Sequence, residues 1–247
     1  MRVLGVIPAR LGSTRLPHKP LQLLAGEPLI TRVIQRVMEH ELTDELVVAT
    51  DSERIVEVAE RSGVRGVMTD PAHLSGTDRV AEVAGRPEFA GADVVVNVQG
   101  DEPFLPREAL AGAIERVERG DDVGTAAAPL DPALVADPAR VKVVTDAEGR
   151  ALYFSRAPIP YRREPSDDAT DLYWQHLGIY AYGRPALARW VATEPSAAEL
   201  AERLEQLRAL HCGLTIGVAR LDEPALPGVD TPDDLQRAEA HWHALQG

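Results

Sequence analysis

The chain has 247 residues, 45% apolar and 26% charged, and its 26 Lys+Arg against 39 Asp+Glu leave a formal net charge of -13. That balance suits one large α/β domain or two small ones with a sizeable core, and excludes disordered, collagen-like and membrane-spanning classes. The acidic field argues against nucleic acid or an anionic membrane as partner, and a lone cysteine, Cys212, excludes an internal disulfide and fits a reducing, cytoplasmic setting.

Val3 to Ala9 is a continuous apolar run, the pattern of a strand buried on both faces of a parallel sheet. From Pro28 the residues Leu29, Ile30, Val33, Ile34, Val37 and Met38 recur at helical spacing, with Pro28 suited to a first turn. A strand follows at Glu45 to Thr50, a helix at Ser52 to Arg61, strands at Val64 to Met68 and Ala92 to Val98, and a helix at Pro106 to Arg119. Such alternation implies βαβ crossovers and an α/β fold with a mostly parallel, helix-covered sheet.

The middle of the chain is richer in β signals. Val141 to Thr145 and Ala151 to Ser155 read as a hairpin around a turn containing Gly149, Tyr161 to Leu172 as a charged loop, and Leu177 to Tyr182 as a strand. Together they mark a β-rich sub-lobe at about 130–185 within a single domain spanning 1–247. Helical patterns return at Pro185 to Val191 and Ala197 to Leu210, then a strand at Leu214 to Ala219 and a last helix after Pro232, where Thr231-Pro-Asp-Asp234 has capping-box spacing.

Ligands of open parallel sheets bind beyond the carboxyl ends of the strands, which directs attention to the loops after Ala9, Thr50, Val98 and Ala219. The first carries Arg10, Arg15 and Lys19 on a Gly/Ser/Thr framework, the donors and charge that a polyphosphate needs. It has neither P-loop nor GxGxxG spacing, which disfavours a Walker ATPase or a nicotinamide enzyme; the plain alternative is a solvated basic loop. After the strand VVVNV comes Gln99-Gly-Asp-Glu-Pro103, where Asp101 is placed to hold Mg²⁺ beside phosphate oxygens, or merely to turn the chain. Asp230 is the candidate second ligand, its plain alternative being an accessory to the Thr231 cap. His241 and His243 do not share a helix face, so they do not suggest a metal site. Cys212, Trp190 and Trp242 read as packing residues.

Taken together, Arg10-x-x-Ser-Thr-Arg15-Leu-Pro-x-Lys19, Ser75-Gly-Thr77 with Arg79, Asn97-Val-Gln-Gly-Asp-Glu-Pro103, Tyr153-Phe-Ser-Arg156, His176-Leu-Gly-Ile-Tyr180, Leu204-Glu-Gln-Leu-Arg208 and Val229-Asp-Thr-Pro232 resemble the 3-deoxy-manno-octulosonate (Kdo) cytidylyltransferases. The motifs run in order from the first strand to the last helix. The resemblance implies a Rossmann-like nucleotidyltransferase fold, with the sub-lobe serving sugar binding and dimerisation. It also implies a Mg²⁺-dependent reaction of CTP with Kdo giving CMP-Kdo and pyrophosphate for lipopolysaccharide-type glycan, in a cytoplasmic homodimer that needs neither nucleic acid nor membrane.

By position, the resemblance assigns Ala9, Arg10, Arg15, Lys19, Ser75, Gly76 and Arg79 to the nucleotide. It assigns Asp101 and Asp230 to Mg²⁺, with Arg10 and Lys19 also catalytic, and Gln99, Arg156, His176, Tyr180, Glu205 and Gln206 to the sugar, Arg156 facing its carboxylate. Two positions depart from the pattern. His18 stands where a Gly is common, and Gln175 replaces an Arg often found before HLGIY, which keeps an amino-substituted Kdo open as acceptor. A nucleotidyltransferase for another acidic sugar, or a catalytically silent nucleotide-binding protein, are the alternatives.

Overall fold

The computed structural model describes residues 1–13, 15–164 and 171–246. The chain divides into two compact units, Met1–Leu105 with Leu226–Gly247, and Pro106–Ala225. The expected sub-lobe falls inside the second unit, and part of the expected loop Tyr161 to Leu172 lies outside the described residues.

The first unit opens with β1 (Val3–Ala9), buried everywhere but at Pro8. A one-turn 3-10 helix at Lys19–Leu21 leads into a short hairpin of β2 (Leu23–Leu24) and β3 (Glu27–Pro28), turned through Ala25 and Gly26 at positive φ. Next come α1 (Leu29–His40), β4 (Glu45–Thr50), α2 (Glu53–Arg61), β5 (Arg65–Met68), α3 (Gly76–Ala84) and β6 (Val94–Asn97). The order β6-β1-β4-β5 is parallel throughout. Parallel neighbours end at the same edge, so the loops after Ala9 and Asn97 emerge side by side.

The second unit contains α4 (Arg107–Glu118), β7 (Val123–Pro129), β8 (Lys142–Thr145), β9 (Ala151–Ser155), β10 (Trp174–Gly183), α5 (Arg184–Ala192), α6 (Ala197–Glu202), α7 (Gln206–His211) and β11 (Ile216–Arg220). Here β11 runs parallel to β7, while β7 with β10, β10 with β8 and β8 with β9 are antiparallel. The fold is therefore α/β with mixed strand pairing. At Gly124 of β7 an added Cβ would stand 1.8 Å from the Ala113 carbonyl oxygen, so only glycine lets α4 sit this close to the strand. The chain then returns to the first unit as α8 (Pro232–Gln246). There Leu16, Leu24, Leu29, Val229 and Ala238 form a buried cluster covered by Phe104, Leu235 and Trp242.

Besides the short β2–β3 hairpin and the 3-10 turns, three parts of the fold differ from the sequence reading. The strand β7 was not expected, because VGTAAAP offers small residues where β-branched ones usually signal a strand. The short helix α3 was also unanticipated; Ser75 caps it by accepting from the Asp78 N–H. The single helix expected over Ala197 to Leu210 is instead α6 and α7, broken where Arg203 takes φ 54°. The break lets Arg208 reach Glu199 with two charge-assisted hydrogen bonds, of 2.9 and 2.5 Å. Nine residues along an unbroken helix would separate them by roughly 13 Å.

Candidate active site

The adjoining exits of β1 and β6 build one cluster. Gly100 brings its backbone against the Pro8 carbonyl, where an added Cβ would stand at 3.0 Å. Behind it, the Val229 N–H donates to the Asp101 carbonyl at 2.8 Å and straps the 228–230 segment to this loop. Val229 is buried in the cluster beneath, so Asp230 is delivered beside Asp101 despite its distance in sequence. The Asp230 and Thr231 N–H groups donate to the Asp234 carboxylate, which returns the cap expected at Thr231 and leaves the Asp230 side chain for other partners.

Lys19 is what joins them. Its Nζ donates to Asp101 Oδ2 at 2.5 Å and to Asp230 Oδ1 at 2.9 Å, and Arg15 Nη2 reaches the same Asp230 oxygen at 3.0 Å. Of the expected residues, Arg15, Lys19, Asp101 and Asp230 thus meet directly. Arg10 leaves β1 exposed, Ala9 is buried at the strand's end, and Gly76 starts α3 with its Cα packed toward the Pro8 ring, where an added Cβ would stand at 3.3 Å. Gln99 donates to Asn97 at 3.3 Å in the Asp101 loop.

His18, at the start of the turn carrying Lys19, adopts the left-handed conformation with φ 53° and ψ 34°. This is the backbone that glycine takes without steric cost, which accounts for glycine being common there.

Electrostatically the cluster is tense. Burial pulls the Lys19 ammonium pKa down, but the charge and hydrogen bond of Asp101, then those of Asp230, outweigh it and hold the pKa above the usual lysine value. Glu102, which the sequence reading passed over as part of a turn, is a third acid here. Burial, then the like charges of Asp101 and Asp230, push its carboxyl up to about 8. Its only sequence signal was its place beside Asp101.

Among the described residues no set of three or more His, Cys, Asp or Glu is arranged to hold a metal. Mg²⁺, however, commonly takes one or two carboxylates and completes its shell with water and phosphate. Two carboxylates already sharing one cationic nitrogen fit that donor chemistry.

Arg79 is placed differently from the other cations. Its side chain is 3% exposed, with Nη2 on Asp51 at 3.0 Å and Nη1 on the Thr69 hydroxyl. A guanidinium so enclosed acts on a nucleotide only through α3, which it ties to the ends of β4 and β5. Ser75 is similarly engaged, donating its hydroxyl to Asp78 at 2.9 Å while capping the helix.

Apart from Gln99, the candidate sugar residues belong to the second unit. Arg156 Nε donates to the Glu202 carbonyl at 2.7 Å, Nη1 to that of Pro138 at 2.8 Å and Nη2 to that of Arg203 at 3.3 Å. Three of its five N–H donors are thereby used, and among the described residues the other two have no acceptor. His176 is buried, 3.0 Å from the Thr125 hydroxyl through Nε2, and desolvation lowers its pKa to about 3, so the imidazole is neutral. Tyr180 packs against His176, Tyr182 and Trp190, and burial raises its phenol well above the ordinary value. Glu205 precedes α7 and the buried Gln206 opens it. Gln175, which stands in place of a fixed charge, accepts from Arg140 Nη1 at 2.8 Å, so a guanidinium arrives there from the turn before β8.

Comparison with known proteins agrees with this arrangement of elements. A cytidylyltransferase family model matches residues 4–216. The 3-deoxy-manno-octulosonate cytidylyltransferase of Gemmatimonas aurantiaca is 55% identical over 99% of this chain and 96% of its own, and that of Methylococcus capsulatus 47% identical over 96% and 95%. The solved structure of a CMP:2-keto-3-deoxy-manno-octonic acid synthetase complexed with CTP is 38% identical with a TM-score of 0.91, covering 99% of this chain and 100% of that one. A 4-diphosphocytidyl-2C-methyl-D-erythritol synthase from Anaerococcus prevotii, 15% identical with a TM-score of 0.63 over 98% of each chain, shares the fold alone. Similarity this extensive, over motifs that the chain carries in order, means that it belongs to the cytidylyltransferases, in their 3-deoxy-manno-octulosonate branch.

Proposed function

We propose that the protein activates Kdo with CTP. The anomeric 2-hydroxyl oxygen of the sugar forms a bond to the α-phosphorus as the bond from that phosphorus to the pyrophosphate breaks, giving CMP-Kdo and pyrophosphate, with the hydroxyl proton passing to water. The observation that carries this reading is the Lys19 ammonium shared by Asp101 and Asp230 at the exits of two adjoining parallel strands. Phosphoryl-type transfer depends on alignment and on neutralising oxygen charge, so it requires no nucleophilic side chain.

Lys19, Arg15 and the exposed Arg10 hold the triphosphate and offset charge on the departing pyrophosphate. Ala9, Ser75 and Gly76 line the nucleotide beside them, and Arg79 fixes α3 in place. Asp101 and Asp230 would hold Mg²⁺, which when bound supplies Lewis-acid stabilisation of phosphate oxygens. Arg156 offers its two remaining donors to the sugar carboxylate, and Gln99, Tyr180, Glu205 and Gln206 serve the sugar hydroxyls. His176, neutral and hydrogen-bonded to Thr125, orients and does not take up the proton. The same reading makes the enzyme a cytoplasmic homodimer supplying lipopolysaccharide-type glycan; among the described residues no helix is long and apolar enough to cross a membrane.

The test is pyrophosphate release from CTP and Mg²⁺ with a panel of acidic sugars, including amino-substituted Kdo. Turnover with Kdo is the expected result. Turnover only with another sugar would overturn the acceptor, and tight CTP binding without pyrophosphate from any sugar would leave a silent nucleotide-binding protein.

A further inference from the structure

One charged side chain of the second unit has no part in the reading above. Lys142, the first residue of β8, is 0% exposed. Its ammonium donates to three main-chain carbonyls, those of Asp137 at 3.1 Å, Arg140 at 2.6 Å and Arg156 at 2.5 Å. That fills every donor the group has. Burial lowers its pKa, with the attraction of Asp137 and Glu202 acting against this. Enclosing an ammonium carries a desolvation penalty, and an apolar chain of similar length would fill the space without it. What the ammonium adds is direction.

The three carbonyls belong to two pieces of chain that also hold Arg156. The 137–140 turn gives two of its carbonyls to Lys142 and a third, from Pro138, to Arg156 Nη1. On β9, Ser155 lies opposite Lys142, and both the Ser155 hydroxyl and the Arg156 N–H donate to the Glu202 carboxylate. On the other side, β10 places Gln175 opposite Lys142, and Gln175 receives Arg140. Lys142 therefore sits where the supports of Arg140 and Arg156 cross.

We propose that Lys142 is a positioning residue for the acidic sugar: by drawing the carbonyls of Asp137, Arg140 and Arg156 to one point, it fixes the turn against which the Arg156 guanidinium leans, and so the direction in which Arg156 meets the sugar carboxylate. The inference rests on the assignment of Arg156 to that carboxylate, and its test separates the two. Lys142→Met keeps the stem and removes the donors; Lys142→Gln keeps part of the donor set. Each is assayed for KM of Kdo, KM of CTP, kcat and Tm, alone and combined with Arg156→Ala.

Lys142→Met raises the KM for Kdo on the order of tenfold or more, as expected of a misplaced binding group, while the KM for CTP stays within about twofold of normal. Lys142→Gln falls between, and serves alone if the Met variant does not fold. Because Lys142 acts through Arg156, the double variant is no worse for Kdo than Arg156→Ala within about twofold. Effects that multiply in the double variant, or a uniform loss in both substrates that follows Tm, overturn the proposal. An unchanged KM for Kdo in Arg156→Ala alone overturns the carboxylate assignment, and with it any action of Lys142 through that residue.

Discussion

Replacing Asp101 by Ala separates the chemistry of the acidic pair from the stability of the loop that carries it. The Lys19–Asp101 contact of 2.5 Å joins side chains that are 18% and 22% exposed, so its loss costs about 1 kcal/mol at most after solvent screening. Three features soften the loss. Lys19 keeps Asp230 at 2.9 Å, one of three crowded carboxyl groups disappears, and the residue 101 carbonyl still accepts from Val229. A chain of this length then loses roughly 2–4 °C in Tm. Turnover responds on another scale. Disturbing even the outer partners of a metal ligand lowers affinity or activity by roughly 10- to 100-fold, so deleting one of two carboxylates lowers pyrophosphate release by about 100-fold or more. The assay pairs pyrophosphate release at saturating CTP and Kdo with thermal denaturation of the same preparation. Activity within about tenfold of the parent would remove Asp101 from the proposed metal site, whereas a Tm loss beyond roughly 10 °C would make the lesion structural.

Arg79→Met strands the partly enclosed Asp51 carboxylate and the Thr69 hydroxyl, and is expected to cost about 3 kcal/mol, read as a fall of roughly 10 °C in Tm; a Tm close to that of the parent would show that the pair is dispensable to the scaffold. Glu102 holds a proton in the folded protein that its unfolded form, with an ordinary carboxyl, has lost well before neutrality, so stability falls as pH rises from about 5 to 8. Glu102→Gln removes that slope in Tm against pH, and persistence of the same slope in the variant assigns it elsewhere. His18→Gly relieves a left-handed non-glycine residue by about 1–2 kcal/mol against about 0.5–1 kcal/mol of added chain entropy. Tm therefore rises slightly, and a clear fall would mean that the imidazole itself holds the turn.

Legibility in the sequence followed the strength of local patterning. The strands β1, β4 and β6 and the helix α1 are continuous or periodic apolar runs, which is what burial in a helix-covered sheet demands. The strand β7 and the α6–α7 break were hidden for opposite reasons. Gly124 of β7 is small because α4 lies against it, and the turn at Arg203 breaks a stretch whose apolar spacing reads as one continuous helix, so that Arg208 folds back onto Glu199. At the site, the cations of the first loop and the acid after VVVNV were conspicuous individually. Their meeting with Asp230 was implied by the resemblance alone and by no local pattern, because it is made by the Val229 hydrogen bond and the burial beneath it. Lys142 was open to notice as a lone charge in VKVV, yet only the carbonyls around it say what that charge does.

The strap between residues 101 and 229 changes what the intervening sequence is free to do. The chain leaves the first unit at Leu105 and re-enters it at Leu226, and the exit and re-entry are stitched together by a contact to which residues 106–225 contribute no atom. Topologically that stretch is a cassette. Loops within it can lengthen, shorten or change composition over evolutionary time while the spacing of the two aspartates is held by their own neighbours.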